Sequence, residues 1–488
     1  DEPTPEQVTA LQQLMDDGEL DGITFEDQFV RARPGDGIAS GVIGRSLADG
    51  EVDAEGNSGG ISGVELAYDA VLAGHPGVEH YEQDASGNPI VGGHRDVEPA
   101  RQGADVYLTI DESLQYQAEQ ALIAQVDAMA AQGAMAVVMR PSTGEILAMA
   151  SVGVGEDGEA TTTADNRPVT AVFEPGSTNK MITVAAAIEE GEVAPDTVFE
   201  VPDTLPIYDR EFTDSHPHAT AAWTVADILS TSSNIGTIKI ARQLGAERVD
   251  EYLRRFGFGQ TTGLGFPAEE DGIMKSIDDW SGVDIGSIPI GQGISVTALQ
   301  MLAAYNAIAN DGTYVAPRLV SGLDHGSGQV PTEASEGRRV VSTDTARAMQ
   351  AMLVRVVAEG TGTPAAVPGY EVAGKTGTSW IAQQGGSDEE DGYLGADGLR
   401  HYQASFVGFV AGADLSILVT VNDPRTQVYG SEVAAPVFSE LAATALRRYE
   451  IPPPALVDPE AHSVPELSAT ARELEGLDAP GGSLPAAG

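Results

Sequence analysis

The chain contains no cysteine among its 488 residues. This absence excludes disulfide bonds, thiolate zinc sites and cysteine nucleophiles. It says little about the cellular compartment, because a secreted protein does not need disulfides. A nucleophile, if the chain has one, must be a residue of another type.

Long apolar runs are also absent. No stretch approaches the roughly 18 apolar residues that a membrane-spanning helix needs, and the chain opens at Asp1 without an initiator methionine or an apolar signal core. We therefore expect that a segment preceded Asp1 and was removed.

Basic residues are scarce. The sequence has 26 Lys and Arg against 74 Asp and Glu, a formal net charge of -48. Such a field repels nucleic acid and anionic lipid headgroups, so nucleic-acid binding is not expected. Two explanations of the acidity stay open: a halophilic or acid-tolerant source, or a lineage that places Asp and Glu freely on solvated surfaces.

The length and the changes in composition along the chain predict three regions. Residues 1–105 are rich in Gly, Asp and Glu and form a small irregular domain, with one helical pattern at Val8, Leu11, Leu14 and Met15. Residues 106–450 form the larger domain. Residues 451–488 open on three consecutive prolines after Ile451 and are expected to be a loosely ordered tail.

Within the larger domain, hydrophobic periodicity predicts helices at both ends of an antiparallel sheet. The first helix has Leu114, Ala118, Ala121, Leu122 and Val126 on one face. The predicted elements are a strand at 106–110, a helix at 113–129, a hairpin with strands 136–139 and 146–150, a second hairpin with strands 405–410 and 415–421, and a helix at 435–449.

The first chemical signal is Ser177 followed by Lys180, just before an apolar helix over 181–188 that Gly191 ends. Residues three apart on a helix share a face, so a neutral Lys180 amine can take the proton of the Ser177 hydroxyl during nucleophilic attack. Taken alone, S-x-x-K is more often a solvated surface pair.

Lysine is nearly missing from the chain, which raises the significance of this pair. The only lysines are Lys180, Lys239, Lys275 and Lys375; the other basic residues are arginine. Arginine serves equally well as a surface charge but cannot deprotonate to act as a base. The retained lysines are therefore candidates for work that needs an amine or ammonium.

Two further motifs follow. Ser232-Ser233-Asn234 lies 55 positions after Ser177, and by itself it reads as a polar loop or a helix N-cap. Lys375-Thr376-Gly377-Thr378 ends a predicted strand, and by itself it reads as a strand-end turn. Because Gly377 has no side chain, a substrate backbone can lie close to this edge and pair as an added strand.

The order S-x-x-K, S-x-N, K-T-G resembles the signature of penicillin-binding proteins and class A β-lactamases. The resemblance extends further. Residues 290–297 with Pro317 are similar to the G-Q-G segment of the family, and residues 63–69 with 72–74 are similar to the pedestal that precedes the catalytic domain in class B members. About 430 residues are covered.

The resemblance implies an α+β fold of the penicillin-binding-protein and serine β-lactamase type. Residues 106–450 would be a transpeptidase domain, with an antiparallel sheet packed by helices beside an all-helical lobe and the active site between them. Residues 1–105 would be a smaller pedestal, or dimerisation-like, domain.

The resemblance also implies roles for individual residues. Ser177 would attack the penultimate D-alanine carbonyl of a donor stem peptide, with Lys180 as base and the backbone amides of Ser177 and Thr378 as oxyanion hole. Ser232 would relay the proton to the leaving amine, and Asn234 would hold the substrate amide. Lys375, Thr376 and Thr378 would bind the substrate carboxylate, and a Lys375 cation would help to lower the pKa of Lys180.

The substrates implied are stem peptides of lipid II-derived glycan, with β-lactams as covalent inhibitors that mimic the donor. No cofactor or metal is required. The absence of a glycosyltransferase-like region favours class B, which is normally anchored on the outer face of the membrane by an N-terminal helix that this chain lacks. The Phe173–Ser177 sequence favours the septal type over the elongation type, with a polytopic lipid II polymerase and divisome membrane proteins as partners.

Three details depart from the family pattern or lie outside it. Residues 31–35 lack the usual tyrosine, and Ser379-Trp380 replaces a small and polar pair, so donor or drug preference is expected to differ. His216 and His218 lie in a loop with Asp214, but two histidines in a proline-containing loop are more often solvated than metal-bound.

Rival interpretations stay open at this point. A D,D-carboxypeptidase or β-lactamase uses the same scaffold, with water deacylating Ser177, although the chain is far longer than a β-lactamase. A non-catalytic β-lactam sensor would need a signalling region. A divisome scaffold with a dead site is disfavoured by the intact Ser177, Lys180, Ser232, Asn234 and Lys375.

Overall fold

The structure is a computed structural model that describes residues 5–16, 35, 37–47, 59–75, 77–85, 88–383 and 392–453. Most of the predicted tail, from 454 onward, and the pedestal residues 31–34 lie outside these ranges. Within the ranges described, no helix is both long and apolar enough to cross a membrane.

The N-terminal part consists of short elements, as its composition predicted. Helix α1 confirms the helical pattern at Val8 to Met15, and α2 and α3 pack on each other. Ala39 and Val42 join the core of the larger domain, where Glu119 accepts the Ala39 backbone N–H at 2.9 Å. The elements are α1 (Pro5–Asp16), α2 (Ser40–Ile43), α3 (Gly63–Ala67), α4 (Asp69–Leu72) and the antiparallel strands β1 (Val78–Tyr81) and β2 (Arg95–Glu98).

The larger domain alternates strands and helices. Its strands are β3 (Asp105–Leu108), β4 (Gly133–Met139), β5 (Ile146–Val154), β6 (Ala160–Thr162), β7 (Val172–Phe173), β8 (Val198–Val201), β9 (Thr204–Ile207), β10 (Arg210–Thr213), β11 (Ala221–Thr224), β12 (Val296–Thr297), β13 (Thr313–Tyr314), β14 (Val320–Asp324), β15 (Val330–Pro331), β16 (Arg338–Arg339), β17 (Val372–Trp380), β18 (Tyr402–Val410) and β19 (Ser416–Asn422). Its helices are α5 (Glu112–Met129), α6 (Arg167–Thr170), α7 (Lys180–Glu189), α8 (Val225–Ser230), α9 (Asn234–Leu244), α10 (Ala246–Arg255), α11 (Asp284–Ser287), α12 (Ala298–Ala309), α13 (Thr343–Glu359), α14 (Gly430–Val433) and α15 (Ala435–Arg448).

Six strands form the central sheet in the order β17-β18-β19-β4-β5-β6, and all neighbours are antiparallel. Both predicted hairpins are confirmed as β4–β5 and β18–β19. Strand β19 pairs with β4 in the register Ser416↔Met139, so the first and last hairpins of the domain join in one sheet. Hydrogen bonds between such distant segments carry no local sequence signal.

Helices α5 and α15 pack together against one face of this sheet, and the predicted apolar face of α5 is buried at all five positions. The other face packs against a second core that contains α7, α9, α12 and α13. Strand β17 is an edge of the sheet, and the 3-10 helix Gly176–Asn179 packs directly on it. The S-x-x-K residues therefore lie between the helices and a sheet edge.

Candidate active site

Ser177 lies in the 3-10 helix Gly176–Asn179, which runs directly into α7 at Lys180. Its neighbours in the turn are buried, whereas Ser177 is partly exposed. Buried hydrogen bonds hold the turn: Tyr305 Oη donates to the Thr178 carbonyl at 2.9 Å, and Asn179 Nδ2 donates to the Ile288 carbonyl at 2.8 Å. The turn thus presents the Ser177 side chain on a fixed backbone.

The G-Q-G segment packs against this turn. The Gly176 N–H donates to the Gly291 carbonyl at 3.0 Å, and a Cβ added to Gly291 would lie 2.2 Å from the Gly176 carbonyl oxygen. Gly291 also has a φ of +82°, in the region that favours glycine. The first glycine of the segment is therefore needed to seat the turn that carries Ser177.

Ser232 occupies the loop between α8 and α9 with a φ of +61°, an uncommon backbone conformation for a residue with a side chain. Ser233 is the N-cap of α9 and its Oγ accepts the Gly236 N–H at 2.9 Å. The amide Nδ2 of Asn234 donates to the Thr213 carbonyl at 2.9 Å. The N-cap interpretation of this motif is thus right for Ser233. Ser232 lies one residue before the cap and has other partners.

The side chains of two lysines lie close to the hydroxyl of Ser232. Lys180 Nζ donates to the Ser232 carbonyl and lies 3.3 Å from Ser232 Oγ. Lys375 Nζ donates to the same Oγ at 2.8 Å. Both lysine side chains are fully buried, at 0% exposure. Three motifs that are far apart in the sequence therefore converge on one hydroxyl group.

Both lysines have lowered pKa values, and burial is the main cause. Burial lowers the pKa of Lys180 to about 7, while the negative charge of Asp214 opposes this shift. Burial also lowers the pKa of Lys375 well below its ordinary value, and the charge of Lys180 lowers it further. The sequence predicts that a Lys375 cation helps to lower the pKa of Lys180; in the structure the lowering of the Lys180 pKa comes from burial. Near neutral pH a large fraction of Lys180 is a free amine.

The K-T-G residues lie on β17. Thr376 Oγ1 is 3.0 Å from Thr361 Oγ1, and Thr378 Oγ1 accepts the Gly430 N–H at 3.0 Å, which leaves the Thr378 hydroxyl hydrogen to donate. A Cβ at Gly377 would come within 2.9 Å of Thr178 Cγ2. The glycine thus allows β17 to approach the turn of Ser177 closely. This packing explains why position 377 is glycine without the substrate contact that the sequence suggested.

An aromatic cluster lies at the end of β17. The Arg400 guanidinium stacks over the Trp380 ring at 3.9 Å, and the Trp380 and Tyr393 rings are 5.4 Å apart. Tyr393 Oη donates to Glu174 Oε1 at 2.9 Å, and burial raises the pKa of Glu174. This cluster, the Trp380–Tyr393 wall, therefore contacts Glu174 in the segment that leads to Ser177. The sequence marked Trp380 as unusual but gave no sign of its partners.

The expectation of solvated histidines is wrong for His218. Its side chain is 5% exposed, its ring lies 4.7 Å from that of Trp223, and its Nε2 is 3.0 Å from Asp214 Oδ2. The Trp223 ring and the carboxylate cover the imidazole. Across the described residues, no group of three or more His, Cys, Asp or Glu side chains could hold a metal ion. Asp214 and His218 therefore form a pair next to the S-x-N loop.

Comparisons with known proteins identify the family of the chain. Residues 134–443 match the family described as penicillin-binding protein transpeptidase domain, and residues 2–108 match the penicillin-binding protein dimerisation domain. Penicillin-binding protein PbpB of Mycolicibacterium smegmatis is 37% identical over 445 residues, which are 88% of this chain and 66% of that protein. Peptidoglycan D,D-transpeptidase FtsI of Escherichia coli is 30% identical over 453 residues, 90% of this chain and 70% of that protein.

Solved structures show the same fold. Penicillin-binding protein 3 of Mycobacterium tuberculosis, complexed with ampicillin, superposes with a TM-score of 0.74 at 31% identity, and the match covers 90% of this chain and 93% of that one. This chain spans 63% of the length of PbpB from the same organism, so part of that relative has no counterpart here. With two family matches in the expected order and the three motifs joined at one hydroxyl, the chain belongs to the class B penicillin-binding proteins, which carry a dimerisation domain ahead of a transpeptidase domain.

Proposed function

We propose that this chain is a peptidoglycan D,D-transpeptidase that cross-links stem peptides through an acyl-enzyme on Ser177. One observation carries the proposal: the amines of Lys180 and Lys375 both approach the Ser232 hydroxyl, next to the turn that presents Ser177. A buried amine whose pKa is about 7 can accept a proton at neutral pH, as a general base must. A surface Ser–Lys pair would have neither the burial nor the shift.

In the first half-reaction, Ser177 Oγ attacks the penultimate D-alanine carbonyl of the donor, and neutral Lys180 takes the hydroxyl proton. The backbone amides of Ser177 and Thr378 stabilise the oxyanion. As the peptide C–N bond breaks, the leaving amine receives a proton through Ser232. Terminal D-alanine departs, and the donor remains as an ester on Ser177.

In the second half-reaction, the amine of a neighbouring stem peptide attacks the ester and gives its proton to Lys180. The C–O bond to Ser177 breaks, the hydroxyl is restored, and a new peptide bond cross-links the two stems. The edge position of β17 supports binding of the donor as an added strand. Lys375 with the Thr376 and Thr378 hydroxyls would bind the carboxylate, and Asn234 Oδ1 would accept a substrate amide, since its Nδ2 is engaged by Thr213.

We infer a septal role, because the relatives include FtsI, PbpB and stage V sporulation protein D. On this reading the partners are a polytopic lipid II polymerase and divisome membrane proteins. The site of action is the outer face of the cell membrane, where the glycan strands are. The Trp380–Tyr393 wall supports a donor and β-lactam preference that differs from members with a small and polar pair after the third motif.

The proposal is tested by the fate of the acyl group. The chain is incubated with a peptide ending in D-Ala-D-Ala and with increasing concentrations of a D-amino acid as acceptor, and the products are measured by mass spectrometry. We expect the aminolysis product to rise at the expense of the hydrolysis product. Ser177→Ala should form neither, whereas Ser142→Ala, an exposed turn serine, should match the wild type.

Other outcomes separate the rivals. Hydrolysis alone at every acceptor concentration would identify a carboxypeptidase. Release of D-alanine by Ser177→Ala at the wild-type rate would contradict the acyl-enzyme mechanism. A stable penicillin adduct without any turnover of peptide would support the sensor or scaffold role instead.

A further inference from the structure

Asp214 lies directly after β10 and behind the S-x-N loop, and its side chain is 6% exposed. Its carboxylate receives three contacts. Oδ2 accepts from Ser233 Oγ at 2.7 Å and lies 3.0 Å from His218 Nε2, and Oδ1 accepts from the Ile235 N–H at 3.0 Å. One buried carboxylate therefore binds both the cap residue and the first turn of α9.

The same segment also holds Asn234, whose Nδ2 donates to the carbonyl of Thr213, the residue before Asp214. Thr213 and Asp214 thus hydrogen-bond to the three residues that follow Ser232. Ser232, just before these contacts, has the positive φ that a non-glycine residue adopts only when its surroundings impose it. The contacts of Asp214 supply that constraint.

We propose that Asp214, anchored by His218, is a positioning residue that holds the S-x-N loop in the turn that brings the Ser232 hydroxyl to both lysines. The inference rests on the proposed function, since it concerns the base of the acylation step. Asp214 itself bonds to the loop and to His218, and it acts through Ser232 and Lys180.

The charged groups near Lys180 determine the direction in which substitution of Asp214 should shift the pKa of Lys180. Lys180 is near Lys375 and Asp214, Asp214 is bonded to His218, and the His218 backbone N–H donates to Asp203 Oδ1 at 3.3 Å. The His218 Nδ1 lies 2.9 Å from the Ala219 carbonyl, so both ring nitrogens face oxygen acceptors. Because the Asp214 charge raises the pKa of Lys180 against burial, loss of that charge should lower the pKa.

The experiment measures the second-order rate of acylation by a fluorescent penicillin from pH 5 to 9. Asp214→Asn should be slower than wild type by about 10- to 100-fold at pH 8, where Lys180 is already neutral, because the loop is misplaced. The acid limb of its pH–rate profile should also move to lower pH. Asp214→Glu should be slow but keep the wild-type limb.

A matched control and a fold check complete the design. Asp250→Asn removes another shielded carboxylate of the same domain, one that pairs with Arg254 at 2.9 Å, and should leave both rate and acid limb unchanged. Thermal unfolding of each variant shows whether it is folded. If wild type is not acylated, the proposed function fails; if wild type is acylated and folded Asp214→Asn keeps its rate and its acid limb, only the inference about Asp214 is overturned.

Discussion

The Nζ atom of Lys375 lies 2.8 Å from the Oγ atom of Ser232, and the Nζ atom of Lys180 lies 3.3 Å from that same oxygen. One hydroxyl therefore connects two amines, both of which have lowered pKa values. In the proposed mechanism, a proton that Lys180 takes from Ser177 passes through this hydroxyl to the leaving amine. The relation explains why a chain with four lysines keeps two of them here.

The pKa of Lys180, about 7, predicts the pH dependence of acylation by wild type. Below that pH the amine is protonated and cannot accept the proton of Ser177, so the rate should fall by about tenfold per pH unit. Stopped-flow measurement with a chromogenic cephalosporin from pH 5 to 9 tests this. A rate that stays constant down to pH 5 would rule out Lys180 as the base.

Replacing Lys375 should separate stability from activity. Lys375→Met removes an amine whose charged form is disfavoured by burial, so the free energy of unfolding should rise by about 1–2 kcal/mol at pH 7, while acylation is lost. The unfolded chain binds more protons than the folded one between the lowered and the ordinary pKa of lysine, so wild-type stability should increase with pH there and the increase should be smaller in Lys375→Met. Thermal unfolding at pH 7 and 9 measures both; a less stable variant would contradict the assignment.

Gly291 should tolerate no side chain. A methyl group 2.2 Å from the Gly176 carbonyl must push the turn of Ser177 away, which should cost about 1–3 kcal/mol of stability and slow acylation by about 100-fold. Gly293→Ala is the matched control, because Gly293 also has a positive φ, of +77°, but nothing lies within 4 Å of its added Cβ. Equal effects of the two substitutions on acylation, measured by penicillin labelling, would contradict this role of Gly291.

The ion pair of Arg355 with Asp227 should be the most costly to break. The side chains are 4% and 1% exposed, and Arg355 donates to Asp227 Oδ1 at 2.6 Å. Arg355→Met leaves a buried carboxylate without its cation, so denaturant unfolding should show a loss of about 3–5 kcal/mol. The exposed pair of Arg248 with Glu251 provides the comparison, since Arg248→Met should change stability far less than Arg355→Met does. A similar small loss for Arg355→Met would contradict this reading.

Local patterns predicted much of the fold. Apolar and β-rich runs predicted both hairpins, and helical periodicity predicted α5 and α15, to within a few residues. These patterns are visible because the strands are buried at nearly every position and each helix buries one apolar face. The joining of β19 to β4 was not predicted, since it depends on contacts between residues almost three hundred positions apart. The helical lobe was expected only through the family resemblance.

The residues of the site also divide into those that the sequence predicted and those that it did not. Ser177, Lys180, Ser232 and Lys375 could be found because their spacing carries a known chemical logic and because lysine is rare in this sequence. The sequence offered Asp214 and His218 only as part of a possible metal cluster, with the histidines expected to be solvated, because an acidic residue and a histidine in a polar loop are the ordinary content of a surface. Only the tertiary packing on Trp223 makes the pair buried.

Acylation of Ser177 with Lys180 as base is tested most directly by intact-mass analysis after reaction with a penicillin at pH 8. We expect wild type to gain one penicilloyl group, mapped by peptide digestion to Ser177, and Ser177→Ala to gain none. Lys180→Arg, which keeps a cation but cannot deprotonate, should acylate at least about 100-fold more slowly. An adduct of equal yield in Ser177→Ala, or one mapped to another residue, would contradict the claim.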